Sequence, residues 1–581
     1  MIGYKYSDFL PTSKKEIEAL GWDYVDVVIF TGDAYVDHPS FGSAMIGRVL
    51  QSKGYRVAIV PQPNWRDDLR DFKKTGKPRL FFGVTSGAMD SMVNRYTANK
   101  RLRSDDAYSP DGKSGYRPDR ALTVYCKILK TLYPDVPVIA GGIEASLRRL
   151  THYDYWSDSL MPSVIIDCGA DFLVYGLGEK PVVELARRIK AGEKIENICD
   201  VNQTVFKSVK QKVLKSLADD SIYLNSYEQC LADKRKFAEN FRIIETESAK
   251  YRSARLTEDC GDYTVTVNPP CEASITEDCD FVYDLPYTRL PHPRYKGKKI
   301  PAYDMIRNSI NIHRGCFGGC GFCTVSAHQG KFVNSRSQES VLKEVGKLVE
   351  TEGFKGHVTD LGGPSANMYG MSGKNIAICK KCKRPSCIFP SVCRNLNNDH
   401  SALMKLYDSA KKTPGVKKIT IGSGIRYDLF MNESGYIDES GKRYFETVVK
   451  NHVSGRLKVA PEHTSEHVLN GIRKPSFKLY EKLRENFLKI NDKYDLNQQL
   501  IPYFISGLPR CTESDMKQLS AVVKQMRYKP EQVQSFTPTP MTLASVIYYT
   551  KIDPYSGENV YVADTSEERR KQLSYFFLHK N

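Results

Sequence analysis

The stretch Asn311-Ile312-His313-Arg314-Gly315-Cys316-Phe317-Gly318-Gly319-Cys320-Gly321-Phe322-Cys323 contains three cysteines spaced C-x3-C-x2-C. Three thiolates on one short loop suit an iron–sulfur cube, because soft sulfur ligands favour such clusters. A cube has four irons, so three cysteines leave one iron free to bind a substrate or a cofactor. The glycines let the backbone wrap closely, and the two phenylalanines can shield the sulfurs from water.

A zinc knuckle is the alternative for this stretch. Zinc requires a fourth ligand, and His313 and His328 lie nearby in the sequence. The pattern of strands and helices around the cysteines favours the iron–sulfur interpretation over zinc.

Composition bounds the class of protein. The chain has 581 residues, is 41% hydrophobic and carries a net charge of +17. We expect no signal peptide, because the N-terminus lacks an apolar core, and no membrane span, because no run of ~18 apolar residues occurs.

The fifteen cysteines are clustered, which predicts metal sites in the reduced cytoplasm. The positive charge would attract anionic partners such as nucleic acid, but its dispersal favours an ordinary solvated surface.

The first part of the chain alternates between strand and helix patterns. Apolar runs predict strands over residues 25–30, 55–60, 80–84, 136–140 and 172–175, and helical periods predict helices over 43–52, 119–132 and 181–189. This order predicts a doubly wound α/β domain over residues 1–195, with a mostly parallel sheet. Ligands in such sheets lie beyond the strand carboxyl ends. Residues 105–120, rich in Gly, Pro, Asp and Ser, predict a surface loop or lid.

Residues 196–295 are predicted to form a helical or irregular connector. Residues 226–246 have a helical pattern, and Leu290-Pro291-His292-Pro293 predicts an extended exit. The cysteines of this stretch lack metal-ligand spacing and are interpreted as ordinary thiols; they are Cys230, Cys260, Cys271 and Cys279.

A second series of strand–helix units follows, over residues 296–545, with a C-terminal extension over 546–581. Strands are predicted over 309–313, 357–361, 418–422, 457–460, 500–505 and 533–536, and helices over 339–349, 401–410, 442–449, 478–490 and 515–526. Six such units predict a partial (β/α)6 barrel. The three-cysteine loop follows the first strand, which is where catalytic loops of βα barrels lie.

A second cysteine set lies on an insertion over residues 364–399. Its members, spaced C-x2-C-x4-C-x5-C, are Cys379, Cys382, Cys387 and Cys393. The insertion is far longer than an ordinary βα loop of ~2–6 residues. Ordering it costs roughly 1–2 kcal/mol of backbone entropy per residue, which a bound metal at ~10–16 kcal/mol would largely offset. We therefore predict a metal centre, zinc or a second iron–sulfur cluster. Reactive free thiols are the alternative.

These motifs resemble those of the radical S-adenosylmethionine (SAM) enzymes, and specifically the YgiQ-type radical SAM proteins. The residues that carry the resemblance are Leu290-Pro291-His292-Pro293, the three-cysteine stretch, Gly362-Gly363-Pro364-Ser365-Ala366-Asn367-Met368-Tyr369 and the second cysteine set. The resemblance implies a 4Fe–4S cluster on the three cysteines, SAM bound to its open iron, and an electron donor such as flavodoxin or ferredoxin. An electron from the cluster would split SAM to methionine and a 5′-deoxyadenosyl radical. The resemblance implies no substrate.

Polar residues at the ends of three further barrel strands are candidate SAM contacts. By the resemblance, the backbone of Gly362 and Gly363 would bind the SAM amino group, although Pro364 replaces the glutamate of the family motif. The remaining candidates for the ribose and the carboxylate are Ser423, Arg426, Lys458 and Glu462. Polar residues at strand ends often only cap the strand or contact solvent, and this is the alternative interpretation for each candidate.

The N-terminal layout resembles the cobalamin-binding-like domain that precedes some radical SAM barrels. The cobalamin-ligand pattern is Asp-x-His-x-x-Gly, but here the sequence is Asp37-His38-Pro39-Ser40-Phe41-Gly42. Because the spacing differs, we expect no cobalamin, and interpret His38 as a loop or substrate-facing residue.

Three functions are compatible with these patterns. The favoured one is a radical SAM enzyme of unknown substrate, in which no catalytic acid, base or radical relay is identifiable. RNA modification such as methylthiolation would suit two clusters and a basic charge, although no RNA-binding tail domain is recognisable. A non-enzymatic nucleic-acid-binding protein with two structural zinc sites is the third.

Overall fold

The computed structural model describes residues 5–210, 221–432, 434–526 and 532–577. The chain divides into two compact units. The first comprises Met1–Asn240, Arg252–Glu272 and Phe281–Arg307, and the second comprises Phe241–Tyr251, Ala273–Asp280 and Asn308–Asn581.

The first unit is an α/β unit built on a nine-stranded sheet. The strands of the unit are β1 (Val27–Thr31), β2 (Val57–Pro61), β3 (Phe81–Thr85), β4 (Val138–Gly141), β5 (His152–Asp154), β6 (Ser159–Met161), β7 (Phe172–Val174), β8 (Thr204–Val209), β9 (Ser221–Tyr223), β10 (Arg255–Cys260) and β11 (Tyr263–Val267). The sheet order is β2-β1-β3-β4-β7-β8-β11-β10-β9, and β5 pairs with β6 separately. The first five strands in this sheet order are parallel to one another, as predicted; they are β2, β1, β3, β4 and β7. β1 and β2 are buried throughout, which explains their unbroken apolar runs.

Helices of the first unit cover the sheet at the predicted places. They are α1 (Lys14–Ala19), α2 (Gly42–Ser52), α3 (Arg70–Lys73), α4 (Ser91–Arg95), α5 (Ala121–Leu132), α6 (Gly142–Leu147), α7 (Val164–Cys168), α8 (Glu179–Lys190), α9 (Tyr227–Ala232), α10 (Lys234–Ser248), α11 (Thr276–Asp284) and α12 (Pro301–Ile306). α10 and α11 contribute residues to both units.

Residues 196–295 differ from the connector that the sequence predicts. They supply β8, β9, β10 and β11, which extend the sheet of the first unit with antiparallel pairings at β7–β8, β8–β11 and β11–β10. β8 and β10 mix buried with half-exposed positions, so they lack the unbroken apolar signal of the parallel strands.

The predicted lid, residues 105–120, packs onto the carboxyl edge of the sheet. The buried Arg117 donates to Asp33 Oδ1 at 2.7 Å and to the Ser86 carbonyl at 2.7 Å, and lies 3.5 Å from Asp106. His38 lies in a loop, as predicted, and is 1% exposed. The chain's own charged residues therefore occupy this part of the edge.

The second unit contains the six predicted barrel strands and their helices. The strands are β12 (Ser309–Asn311), β13 (His313–Arg314), β14 (Asn334–Ser335), β15 (His357–Val358), β16 (Asp360–Gly362), β17 (Lys418–Ile419), β18 (Arg456–Glu462), β19 (Gln499–Ser506) and β20 (Gln532–Ser535). The helices are α13 (Val325–Gln329), α14 (Gln338–Val349), α15 (Ile376–Lys381), α16 (Ser401–Lys411), α17 (Glu439–Asn451), α18 (Glu466–Gly471), α19 (Phe477–Lys493), α20 (Glu513–Gln525), α21 (Leu543–Thr550) and α22 (Ser566–Ser574).

Parallel pairing joins β12 to β16, β15 to β17, and β18 to β19 to β20. This arrangement is the predicted partial barrel. The residues predicted as a C-terminal extension pack against it, since Gln572 on α22 donates to the Cys511 carbonyl at 2.8 Å. Among the described residues of both units, no helix has the length and apolar character needed to cross a membrane.

Candidate functional site

The first cysteine loop leaves β13 and depends on glycines at two close approaches. Gly315 has φ +80°, and a Cβ there would lie 2.3 Å from the Phe332 carbonyl oxygen. Gly319 has φ +62°, and a Cβ there would lie 2.6 Å from the Pro385 carbonyl oxygen. Larger residues are therefore excluded at both positions by backbone strain and by contact.

The cysteines of this loop are half-buried. Burial raises the pKa of Cys316 to about 11 and that of Cys323 to about 12. Cys320 lies close enough to both to add an electrostatic contribution to each. Phe317 is 3% exposed and belongs to a small apolar cluster that Cys316 contacts, whereas Phe322 is half-buried.

Cys320 has a charged neighbour, Arg426, which the sequence analysis predicted as a SAM contact. Arg426 Nη1 donates to Cys320 Sγ at 3.0 Å. The same guanidinium donates to both Asp428 oxygens, at 2.9 and 2.5 Å. Burial alone would raise the pKa of Asp428, but Arg426 holds it below its ordinary value. Arg426 is thus engaged by Asp428 and Cys320 rather than free to pair with a carboxylate of SAM.

Glu462 forms a buried ion pair with Lys474. Its side chain is buried and lies 3.6 Å from Lys474 Nζ, whose side chain is 5% exposed. Burial raises the pKa of Glu462, and its charge reaches Cys323. Lys458 is instead exposed on β18, where buried Leu457 and Val459 alternate with it. The structure therefore places Lys474, and not Lys458, beside Glu462.

The two glycines after β16 lie against two polar groups. A Cβ on Gly362 would lie 2.9 Å from both Asp360 Oδ1 and Ser423 Oγ, and the Ser423 hydroxyl donates to Asp360 Oδ2 at 2.5 Å. A Cβ on Gly363 would lie 2.4 Å from the His313 ring. His313 is fully buried, and neither ring nitrogen has a hydrogen-bond partner among the described residues.

The second cysteine set is packed against the first loop. Cys387 N donates to the Phe317 carbonyl at 3.0 Å, and Ser386 Oγ donates to the Gly318 carbonyl at 2.7 Å. Cys316, Cys387 and Cys393 all contact the same apolar cluster. The insertion therefore holds its cysteines next to the first cysteine loop.

Within the second set, Cys387 interacts electrostatically with Cys379, Cys382 and Cys393. Buried Lys331 donates to Cys382 Sγ at 3.7 Å and to the Arg384 carbonyl at 2.5 Å. The side chains are gathered around one lysine, which places a positive charge beside potential thiolates.

Among the described residues, no three His, Cys, Asp or Glu side chains converge closely enough to surround a single metal ion. One tetrahedral zinc ion, bound at ~2.3 Å, needs sulfurs ~3.8 Å apart. A four-iron cube has its irons at separate corners, so its thiolate ligands stand farther apart than the ligands of one ion. The assignment of a cube to the first loop therefore rests on the cysteine spacing.

Four functional candidates were missed by the sequence analysis: Asp360, Asp428, Lys331 and Lys474. Asp428 could have been found, since it follows Arg426 by two positions. Lys474 lies on the turn between α18 and α19, and no motif near it in the sequence marks it as functional.

Comparison with known proteins identifies the family. Residues 9–309 match the radical SAM N-terminal family. A UPF0313 protein of Bacteroides thetaiotaomicron is 56% identical over 99% of this chain and 95% of that protein. A UPF0313 protein of Porphyromonas gingivalis is also 56% identical, over 99% and 91%, and one of Methanocella arvoryzae is 48% identical, over 96% and 91%. The chain belongs to the UPF0313 family. UPF0313 is the YgiQ family, so the resemblance drawn from the motifs is confirmed.

The UPF0313 chain also has the fold of a known radical SAM enzyme. Its structure is similar to that of the radical SAM methyltransferase TsrM from Kitasatospora setae, solved with cobalamin and a [4Fe-4S] cluster bound. The TM-score is 0.50 and the identity 13%, over 95% of this chain and 88% of that chain. At that identity the likeness shows the fold, an N-terminal α/β unit and a radical SAM unit. The match of residues 9–309 to the radical SAM N-terminal family makes the UPF0313 chain a radical SAM protein.

Proposed function

We propose that this protein is an enzyme that holds a [4Fe–4S] cluster on Cys316, Cys320 and Cys323 and cleaves SAM reductively. The observation that carries the proposal is a loop of three half-buried thiols at the carboxyl end of the first barrel strand. Its glycines, Gly315 and Gly319, stand where the backbone approaches other carbonyl groups too closely for a larger residue. When bound, the cluster supplies one electron to SAM, which splits to methionine and a 5′-deoxyadenosyl radical.

The residues around the loop have separable roles in this proposal. Arg426 donates to Cys320 and would stabilise negative charge there, because charge-assisted hydrogen bonds are strong. Phe317 and its apolar neighbours would exclude water from the sulfurs. Gly362 and Gly363 allow Asp360, Ser423 and His313 to pack directly against the backbone that the resemblance assigns to the SAM amino group.

Two pairs are proposed to bind SAM. The Asp360–Ser423 pair presents a carboxylate and a hydroxyl, and the buried Glu462–Lys474 pair presents opposite charges near Cys323. These groups match the amino, carboxylate and hydroxyl functions of SAM. Lys458, being exposed, remains a sequence prediction only.

Anaerobic reconstitution tests the proposal. The reconstituted protein is expected to contain four irons and four sulfides in the first site, and to form 5′-deoxyadenosine from SAM when reduced with dithionite. A colourless protein that binds zinc and forms no 5′-deoxyadenosine would instead support the non-enzymatic nucleic-acid-binding alternative. Family membership favours the enzyme over that alternative.

The substrate is proposed only as a class. RNA modification of the methylthiotransferase type stays a hypothesis, motivated by the net charge of +17 and the second cysteine set. RNA that co-purifies, identified by mass spectrometry, would support it. The cytoplasmic location likewise stays a prediction.

A second metal centre on Cys379, Cys382, Cys387 and Cys393 is part of the proposal, with zinc and iron–sulfur both open. We predict that Cys387→Ala removes this centre, since Cys387 ties the set to the first loop. If the centre is structural, the variant loses protease resistance over residues 364–399 while SAM cleavage persists. If it is redox-active, the variant also loses iron and its turnover changes.

Metal analysis of that variant separates the two cases, and Cys199→Ala is the control because Cys199 belongs to neither set. Four thiols that are freely alkylated in the native wild type, with no bound metal, would show that no centre forms.

The absence of cobalamin is a separate prediction. The Arg117 cluster fills part of the sheet edge, and His38 is buried with its Nδ1 accepting from Ser40 N at 3.1 Å. Because TsrM shares the fold and is solved with cobalamin, the prediction needs its own measurement. After incubation with hydroxocobalamin and gel filtration, we expect less than stoichiometric retention. Stoichiometric cobalamin that is lost in His38→Ala would overturn it.

A further inference from the structure

The insertion that carries the second cysteine set is strongly basic. Residues 364–399 contain six basic residues and one acidic residue, Asp399 at the end of the insertion. Five of the six are exposed, and with two isoleucines they define a surface called here the basic face; its members are Lys374, Lys380, Lys381, Lys383, Arg394, Ile376 and Ile378. A concentrated positive surface attracts an anionic partner at long range.

The basic face also contains exposed apolar area. Ile376 and Ile378 on α15 are 51% and 54% exposed. Because the two isoleucines lie two positions apart on a helix, they point to different sides of α15. Each adds apolar area beside exposed lysines, and protein–protein interfaces combine apolar and polar surface in this way. An acidic protein surface is therefore the complementary partner.

The basic face lies over the second cysteine set, which in turn adjoins the first loop. Cys379 is on α15 together with the two isoleucines. Cys387 and Cys393 share the apolar cluster of Cys316, and Cys387 N donates to the Phe317 carbonyl. A centre held by the second set would stand between the exposed surface and the first cluster.

The composition of the insertion favours a protein over RNA. Single-stranded RNA is recognised largely by stacking of bases on aromatic side chains. Phe389 is the sole aromatic residue between 370 and 398, and it is half-buried. Aliphatic side chains among lysines suit a protein interface better.

We propose that the basic face docks an acidic one-electron donor protein and that an iron–sulfur centre on the second cysteine set relays its electron to the first cluster. The proposal rests on the function proposed above. The donor loses one electron to the second centre. The second centre then passes this electron to the first cluster and is reoxidised, so the first cluster gains one electron. No bond is formed or broken in the transfer.

Charge reversal tests the docking. The variant Lys374→Glu/Lys381→Glu/Lys383→Glu is compared with Lys478→Glu/Lys489→Glu/Lys524→Glu, which makes the same charge change on exposed lysines of α19 and α20. Each reconstituted holoenzyme is mixed anaerobically with reduced ferredoxin or flavodoxin of acidic pI, and cluster reduction is followed by stopped-flow absorbance.

The basic-face variant is expected to be reduced at least tenfold more slowly by the donor protein, with the wild-type rate falling as salt is added, because charged encounter is screened. The control variant and the 5′-deoxyadenosine formed with dithionite should match the wild type. Equal donor rates in both variants, or no reduction of the wild type by either donor, would overturn the docking. Loss of RNA binding with unchanged donor rates would assign the face to RNA and overturn it too.

A separate experiment tests the relay. In the Cys316→Ala/Cys320→Ala/Cys323→Ala variant, iron should remain on the second set and be reduced by the donor, seen by electron paramagnetic resonance. Zinc alone at that set would overturn the relay. If wild type forms no 5′-deoxyadenosine with dithionite, the proposed function fails instead, so the two failures are distinguishable.

Discussion

Replacing Cys316, Cys320 and Cys323 together with alanine is expected to reduce 5′-deoxyadenosine formation to the level measured without enzyme. The three thiols are the proposed ligands of the cluster that delivers the electron, and no other described cysteines lie on that loop. Alanine supplies no ligand, so the cluster should not assemble on this loop. The measurement is 5′-deoxyadenosine by mass spectrometry after reduction with dithionite, together with iron content.

The control for the triple substitution is Cys199→Ala/Cys271→Ala, which removes two half-buried thiols of the first unit. That variant should retain its iron and its activity. Circular dichroism and gel filtration establish that the triple variant is folded. Undiminished SAM cleavage by a folded triple variant would show that the ligand assignment is wrong.

Replacing Arg426 with methionine is expected to destabilise the second unit and to lower the midpoint potential of the first cluster. The guanidinium is buried, pairs with both oxygens of Asp428 and donates to Cys320 Sγ at 3.0 Å. Removing it leaves a buried carboxylate without its cation, which costs about 3–5 kcal/mol in comparable buried pairs. It also removes a positive hydrogen-bond donor from a cluster ligand, and both charge and hydrogen bonds set cluster potentials.

The variant Arg426→Met/Asp428→Asn separates the two effects. With neither charge present, most of the stability should return, because a neutral replacement of a buried pair is often tolerated. The potential should stay low, because Cys320 still lacks its donor. The measurements are urea midpoints and redox titration monitored by electron paramagnetic resonance. A wild-type potential in Arg426→Met would show that the contact with Cys320 does not tune the cluster.

Much of this protein could be read from local pattern. The cysteine spacing between Cys316 and Cys323, the five parallel strands of the first unit and the six strands of the barrel all follow from residues close together in sequence. Buried parallel strands produce unbroken apolar runs, and helices between them repeat every 3.6 residues, so both signals survive without tertiary information. The family motifs are equally local, which is why the radical SAM family could be recognised.

The partners of individual side chains were decided by tertiary structure. Glu462 and Lys458 were both predicted as SAM contacts, but Glu462 is buried beside Lys474 from the turn before α19, and Lys458 is exposed. Arg426 was expected to face a ligand, but Asp428 and Cys320 hold it. Which side chains meet depends on how barrel strands and their loops close around each other, a long-range geometry that spacing along the chain does not encode.

By itself, the sequence determined the cysteine motif, the order of strands and helices and the family, because each depends on neighbouring residues. The tertiary structure alone decided that β8–β11 join the first sheet and that the insertion packs on the first cysteine loop. The physical reason is that antiparallel strands with mixed exposure and a cysteine-rich insertion acquire their partners only when distant segments come together, with Cys387 meeting Phe317 across 70 residues of chain.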